Sequence, residues 1–243
     1  MASLIAILAL WQTVVILEIY PTFIIPAPLA VAQRFTEVLL DGELWLHTST
    51  TLSQMLPGLL AGVILAVTLG VVLAKNPLIE AVLSPVIVAV QSTPVVAYAP
   101  LLVIWFGTGG TSKIVTTALI VFFPMLMNTI IGIRGVPQEQ RDVLESFSAN
   151  RWQMFIKLEF PSALPVLLGG LKVSATLAVI GAVVGEFVSA EAGLGRLINI
   201  ARYDFDTPLV FVAIIMLAVI ARTMYGLVSL LERRLLTWQR RQS

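Results

Sequence analysis

The sequence contains no cysteine. Without a thiol it builds no disulfide scaffold, no thiolate metal site and no thiol nucleophile. It has one histidine, His47, which leaves histidine-based triads and zinc clusters little room. Charge is scarce as well. Only 12% of the 243 residues are Asp, Glu, Lys or Arg, about half of the ~25% usual in soluble domains. The net charge of +1 supplies no basic field for a polyanion, which excludes nucleic acid as a partner. Apolar residues are what the chain has, at 58%. A soluble domain of this length would lack the polar surface to cover itself. The class that remains is an all-α polytopic membrane protein.

The uncharged runs give the spans. A helix crossing ~30 Å of hydrocarbon needs roughly 20 apolar residues. Residues 1–17, 48–74, 81–112 and 114–133 carry no charge; 160–185 is interrupted only by Lys172 and 207–231 only by Arg222. These runs predict six transmembrane helices near 2–19, 51–74, 79–106, 114–133, 163–185 and 208–231, within a single membrane domain covering 1–243. The first run has no basic n-region and no small-residue cleavage site before Pro21, so it does not read as a signal peptide. The third run is too long for one straight crossing and holds Pro85, Pro94 and Pro100. Proline removes a helical N–H donor, and a kink or break is expected around Gln91-Ser92-Thr93-Pro94. Non-helical backbone at membrane depth survives only against protein or a water-filled cavity. The polar groups of Gln91, Ser92, Thr93 and Tyr98 are therefore pathway candidates, with interhelical hydrogen bonding as the equal alternative.

Lys and Arg set the orientation. Lys75, the 134–162 segment (Arg134, Arg141, Arg151, Lys157) and the tail (Arg233, Arg234, Arg240, Arg241) place nine basic residues on one side. Arg34, Lys113, Arg196 and Arg202 place four on the other. Both termini are expected in the cytoplasm. Segment 134–162 carries eight charges in 29 residues. A connection that long is usually functional. It reads as two short amphipathic helices. The first carries Val143, Leu144 and Phe147 on one face. The second is N-capped by Asn150, with Gln153 as capping-box partner, and carries Trp152, Phe155, Ile156 and Leu158. A surface helix pair with exposed aromatics needs a partner, either the membrane interface or a groove on another protein.

The spacing Asp142-Val143-Leu144, three residues, Ser148, nine residues, Leu158-Glu159-Phe160-Pro161 resembles the EAA loop of bacterial ATP-binding-cassette importer permeases. In that family the pattern is Glu-Ala-Ala, then Gly, then Ile-x-Leu-Pro. Here Asp replaces Glu, and Ser148 stands where the family has glycine, a residue that reaches positive φ without strain. Phe23-Ile24-Ile25-Pro26-Ala27-Pro28, Ala99 to Gly107 (APLLVIWFG), Arg151-Trp152-Gln153, Pro161-Ser162-Ala163-Leu164-Pro165, Gly185-Glu186-Phe187 and Gly193-Leu194-Gly195 resemble segments of the nitrate, sulfonate and taurine branch. Asp206-Thr207-Pro208-Leu209 and Phe123-Pro124 with Asn128-Thr129 look more like permeases for riboflavin or thiamin pyrimidine precursors.

The resemblance implies the type I importer permease fold and a subunit that acts as a pair, in the bacterial inner membrane. An ATPase would dock on the 142–158 loop through Asp142, Leu144, Phe147, Ser148, Arg151, Trp152, Phe155 and Leu158. A substrate-binding protein would deliver the solute. ATP and Mg²⁺ would bind in the ATPase, leaving this chain no cofactor and no catalysis of its own.

Other features are weighed on their chemistry. Gly107 to Lys113 fails as a phosphate loop, because Ser112 and Ile114 occupy required positions. Gly193-Leu194-Gly195 has Ile198 where a dinucleotide fingerprint needs glycine; it reads as a tight turn. Ionisable groups inside spans are functional candidates. Lys172 either snorkels or bonds carbonyls, Arg222 snorkels, and Glu186 either gates the pathway or pairs with a base such as Arg196. His47 reads as solvated. The competing classes are a self-sufficient secondary transporter or channel, for which neither an acidic relay nor an inverted repeat is evident, and an intramembrane enzyme, for which the lone histidine lies outside the spans.

Overall fold

The computed structural model describes residues 2–237, and every regular element within these is helical. The tail residues Arg240 and Arg241 used in the orientation count lie outside the described residues. The helices are α1 (Ala2–Ile16), α2 (Pro28–Leu40), α3 (Glu43–Lys75), α4 (Pro77–Ser92), α5 (Val95–Phe106), α6 (Gly110–Arg134), α7 (Gln138–Ser146), α8 (Arg151–Met154), α9 (Phe160–Ser189), α10 (Leu194–Tyr203) and α11 (Thr207–Leu235), with a π-helical turn at Phe155–Glu159 joining α8 to α9.

Four elements are long and apolar enough to cross a membrane: α3, α6, the continuous helix Arg151–Ser189, and α11. The pair α4 and α5 makes a fifth if taken as one broken span, bent by 97°. The break falls at the expected place. Thr93 is extended at φ −87°, ψ 127°, and Pro94 is the N-cap of α5. The residue before proline is pushed out of the helical region by the proline ring, and Pro94 has no N–H to continue the ladder. The first expected span forms a 15-residue helix, shorter than the ~20 residues of a full crossing. The second begins at Glu43 rather than near residue 51, which draws His47 into the helix. Helices α2 and α10 were not anticipated. Both are short, and tertiary contact holds them.

The core is a three-helix sandwich with α6 between α3 and α9. Gly58, Gly62, Ala66 and Gly70 recur every four residues on α3 and are all buried. That spacing lines one helical face with small residues, which lets backbones approach closely in membranes. A Cβ at Gly62 would lie 2.7 Å from the Ala118 carbonyl oxygen of α6. On the other side of α6, α9 packs Gly181 against Thr117, where a Cβ would lie 2.7 Å from the Thr117 Cα. Helix α11 packs outside this sandwich against α9 and α10. The first helix is clipped to α11: Trp11 stacks on Phe211 with centroids 5.3 Å apart, and its indole N–H donates to the Pro26 carbonyl at 3.0 Å. Arg34 of α2 pairs with Asp206 at 2.8 Å, while Asp206 itself caps α11 by accepting from the Leu209 N–H.

Candidate functional site

The segment 134–162 folds as the expected helix pair. Helix α7 ends in a Schellman motif. The Ser148 N–H donates to the Glu145 carbonyl at 2.8 Å and the Ala149 N–H to the Leu144 carbonyl at 3.1 Å. That geometry needs a left-handed residue after the C-cap, and Ser148 occupies it at φ 57°. The serine therefore holds the glycine-type conformation despite its Cβ. Helix α8 begins with the full capping box: the Gln153 N–H donates to Asn150 Oδ1 at 2.8 Å and the Asn150 N–H to Gln153 Oε1 at 2.9 Å.

Helix α8 then runs without interruption into α9 through the π turn, whose wider loop is marked by the Phe160 N–H bonding to the Phe155 carbonyl. Pro161 explains the widening. It cannot donate to the Lys157 carbonyl and its ring crowds that group, and a π turn relieves both.

The candidate loop residues divide into two sets. Phe147 (82% exposed), Trp152 (67%) and Val143 (53%) present apolar surface outward, flanked by exposed Asp142, Ser148 and Arg151. Asp142 accepts from Gln138 at 2.9 Å. Leu158 faces inward, buried with Met154 and Val136, and half-buried Leu144 packs on that cluster. These two hold the loop rather than present it. Phe155 is half-buried between Trp152 and Phe160, with centroids 6.2 and 6.0 Å away, and the Lys75 ammonium sits 4.8 Å from its ring centroid.

Behind the exposed face, the chain gathers charge. Glu159 is 3% exposed. Lys75, at the end of α3, reaches it at 2.5 Å, and Arg141, on α7, reaches it at 2.5 Å. Arg141 also donates to the Ile133 carbonyl at the end of α6 at 3.0 Å. Beside this cluster Arg134 pairs with Glu80 of α4 and donates to the Leu73 carbonyl at 3.2 Å. A groove of about 930 Å³ opens among these side chains, lined by Lys75, Arg134, Arg141, Glu145, Arg151 and Glu159 among others. Sequence reasoning counted Lys75 and Arg141 only toward orientation and gave Glu159 no role. Their pairing is nonlocal, and the one hint in the sequence is the carboxylate of Glu159 at the edge of an uncharged run, two residues before Pro161.

At the opposite end of the bundle lies a second buried polar cluster. Glu186 is 1% exposed. It accepts from Thr51 Oγ1 at 2.8 Å and from the Gly195 N–H at 2.7 Å, and Thr51 in turn accepts from the Leu194 N–H at 2.8 Å. Glu186 thus pins the Gly193-Leu194-Gly195 turn to α3. Among the described residues it forms no ion pair with Arg196. His47, read from the sequence as solvated, is 5% exposed. Its Nδ1 lies 3.0 Å from the Gly193 nitrogen and 2.8 Å from the Gly193 oxygen, so it accepts or donates according to tautomer. The correction follows from α3 starting a turn and a half earlier than the uncharged run. Lys113 is buried too, and its ammonium bonds the carbonyls of Thr108, Gly109 and Ser189.

Within the bundle, Lys172 pairs with Glu232 near the end of α11, and among the described residues it bonds no carbonyl. Arg222 lies over the Tyr225 ring at 6.0 Å. At the α4–α5 break, Gln91 and Ser92 are exposed and Thr93 and Tyr98 half-buried. Ser92 and Thr93 return their hydroxyls to the Ala89 carbonyl at 3.0 and 3.1 Å. Helix α4 buries no residue at all.

A bundle of apolar helices with a broken span and a folded loop offering aromatics at one end is the architecture of a polytopic membrane protein. The chain belongs to the family described as binding-protein-dependent transport system inner membrane component, matched over residues 58–237, and so is the permease component of an ATP-binding-cassette importer for a small solute. It is 50% identical over 237 residues to the riboflavin transport system permease protein RibX of Chloroflexus aurantiacus, covering 98% of this chain and 88% of that one. It is 32% identical over 220 residues to the formylaminopyrimidine transport permease protein ThiX of Halalkalibacterium halodurans, covering 90% and 88%. In structure it is similar to a chain of the inward-facing MetNI methionine transporter, with a TM-score of 0.71 at 18% identity over 79% of this chain and 97% of that one; the likeness is one of fold.

Proposed function

We propose that this permease carries riboflavin, or a closely related heteroaromatic vitamin precursor, from a substrate-binding protein across the bacterial inner membrane, driven by an ATPase that docks on the 142–158 loop. The observation that supports the docking reading is the pair of exposed aromatics, Phe147 and Trp152, on a loop whose two helix ends are closed by the Schellman motif and the capping box. Aromatic anchors of this kind dominate interface energetics. Asp142, Ser148 and Arg151 form the polar rim, while Leu144, Phe155 and Leu158 brace it from behind. The loop end faces the cytoplasm, as do both termini. Two copies form the pathway, lipid surrounds them, and ATP with Mg²⁺ is bound and hydrolysed in the ATPase subunits. Alternating access follows from rigid-body rocking of the spans when the ATPases close. Gln91, Ser92, Thr93 and Tyr98 at the break offer neutral hydrogen-bonding groups to the passing solute. Glu186 contributes to the pathway by holding the Gly193–Gly195 turn at its outer mouth. The identity to the RibX permease supports riboflavin over a sulfonate, taurine or nitrate.

Reconstitution tests this. The permease, its ATPase and its binding protein in vesicles take up riboflavin in an ATP-dependent way. Trp152→Ala weakens ATPase retention on affinity purification, by about thirtyfold if it removes an anchor of ~2 kcal/mol. Retention and uptake equal to the unaltered chain would sink the docking role. Uptake of riboflavin by the permease alone would favour a self-sufficient transporter instead.

A further inference from the structure

Helix α8 is one continuous helix with α9, so any displacement of the docking loop reaches α9 through covalent backbone. No such connection leads to α3. Its last residue is Lys75, and the chain then turns at Asn76 into α4. At its end α3 meets the loop through the Lys75 side chain: Lys75 pairs with Glu159, and Glu159 is held from the other side by Arg141. Glu159 lies at the end of the π turn, so the widened helix puts this carboxylate where both bases reach it. Lys75 also covers the Phe155 ring, one turn from Trp152 on the exposed face. A buried carboxylate that joins three segments and is shared by two bases is costly unless its partners stay in place. Displacing one segment without the others therefore strips the carboxylate of a partner.

We infer that Glu159 is a positioning residue for transport, the ionic pin through which movement of the docking loop is passed to span α3. The inference rests on the reading of 142–158 as the ATPase-docking loop. In the assembled transporter, ATP-driven displacement of α8 moves α9 directly and moves α3 through Glu159 and Lys75. Without the pin, α9 responds directly and α3 follows only through its packing on α6 and α9, so its response is weakened.

The absence of native cysteine makes the test direct. Single cysteines at Val72 on α3 and Val173 on α9 are both outward-facing and carry an environment-sensitive fluorophore. The permease is reconstituted with its ATPase, and the signal is read before and after trapping with ATP and vanadate. In the otherwise unaltered chain both labels respond. In Lys75→Met, where Arg141 still pairs with Glu159 and the loop stays folded, the α3 response falls at least about fivefold, the low end of ordinary coupling between sites. The α9 response persists. Glu159→Gln behaves alike, and Lys75→Arg restores the α3 response. An α3 response that survives both Lys75→Met and Glu159→Gln overturns the inference, even if the unfolding midpoint drops, because that is the signature of a merely structural pair. Failure of both labels to respond in the unaltered chain overturns the docking reading itself, and the pin with it.

Discussion

Ser148 shows how a single residue can depart from a family's chemistry and keep its geometry. The family pattern has glycine there, and the α7 terminus demands a left-handed residue; the serine adopts φ 57° and both Schellman bonds form. The conformation costs an L-residue roughly 1–2 kcal/mol, of which glycine's greater unfolded freedom would return only ~0.5–1. Ser148→Gly is therefore expected to stabilise the loop by about 0.5–1 kcal/mol. Hydrogen exchange of the Ala149 amide, which donates the long-range bond of the motif, should slow by about two- to fivefold on that arithmetic. Exchange that is unchanged or faster would mean that the serine hydroxyl offsets the strain. His47 and Glu159 teach the converse. Neither was given a structural role by its local sequence, and each is placed by partners far along the chain, Gly193 and Lys75 respectively.

At the scale of elements, what the sequence made legible is what local chemistry dictates. The Pro94 break, the Asn150–Gln153 capping box and the five long or broken spans all follow from charge gaps, proline and short-range hydrogen bonds. Helices α2 and α10 escaped because their amphipathic faces gain meaning only against α3, α9 and α11. The small-residue stripe Gly58, Gly62, Ala66, Gly70 was present in the sequence as a four-residue repeat and passed unread. It sets how closely α3 approaches α6. Gly62→Ala places a methyl 2.7 Å from the Ala118 carbonyl oxygen, a backbone atom that cannot swing aside. Overpacking of this kind costs about 1–3 kcal/mol, against a helix-propensity gain of at most about 1. Gly169 of α9 is the control, since a Cβ there meets nothing within 4 Å. Gly169→Ala should raise the unfolding midpoint of the purified chain slightly, and Gly62→Ala should lower it. If both substitutions shift it the same way, close approach does not govern the α3–α6 contact.

At the scale of the whole molecule, the break in the third span poses a problem that one copy does not solve. Gln91, Ser92 and Pro94 are exposed and α4 buries nothing, yet the break exposes backbone polar groups that hydrocarbon does not tolerate. In the assembled transporter the break must therefore face protein or water. The pathway reading requires water. A thiol reacts as thiolate, and thiolate forms only where water or positive charge supports it. Ser92→Cys, the sole cysteine in the chain, should then be modified by a water-soluble maleimide in sealed vesicles of the assembled transporter. Leu60→Cys, 63% exposed on α3 and uncharged all round, should stay unmodified in lipid. Modification of Ser92→Cys should also slow when ATP and vanadate trap one state, because alternating access changes which side of the pathway holds water. Equal reactivity at the two positions, or a silent Ser92→Cys in every state, would place the break against protein or lipid and remove Gln91, Ser92, Thr93 and Tyr98 from the pathway together.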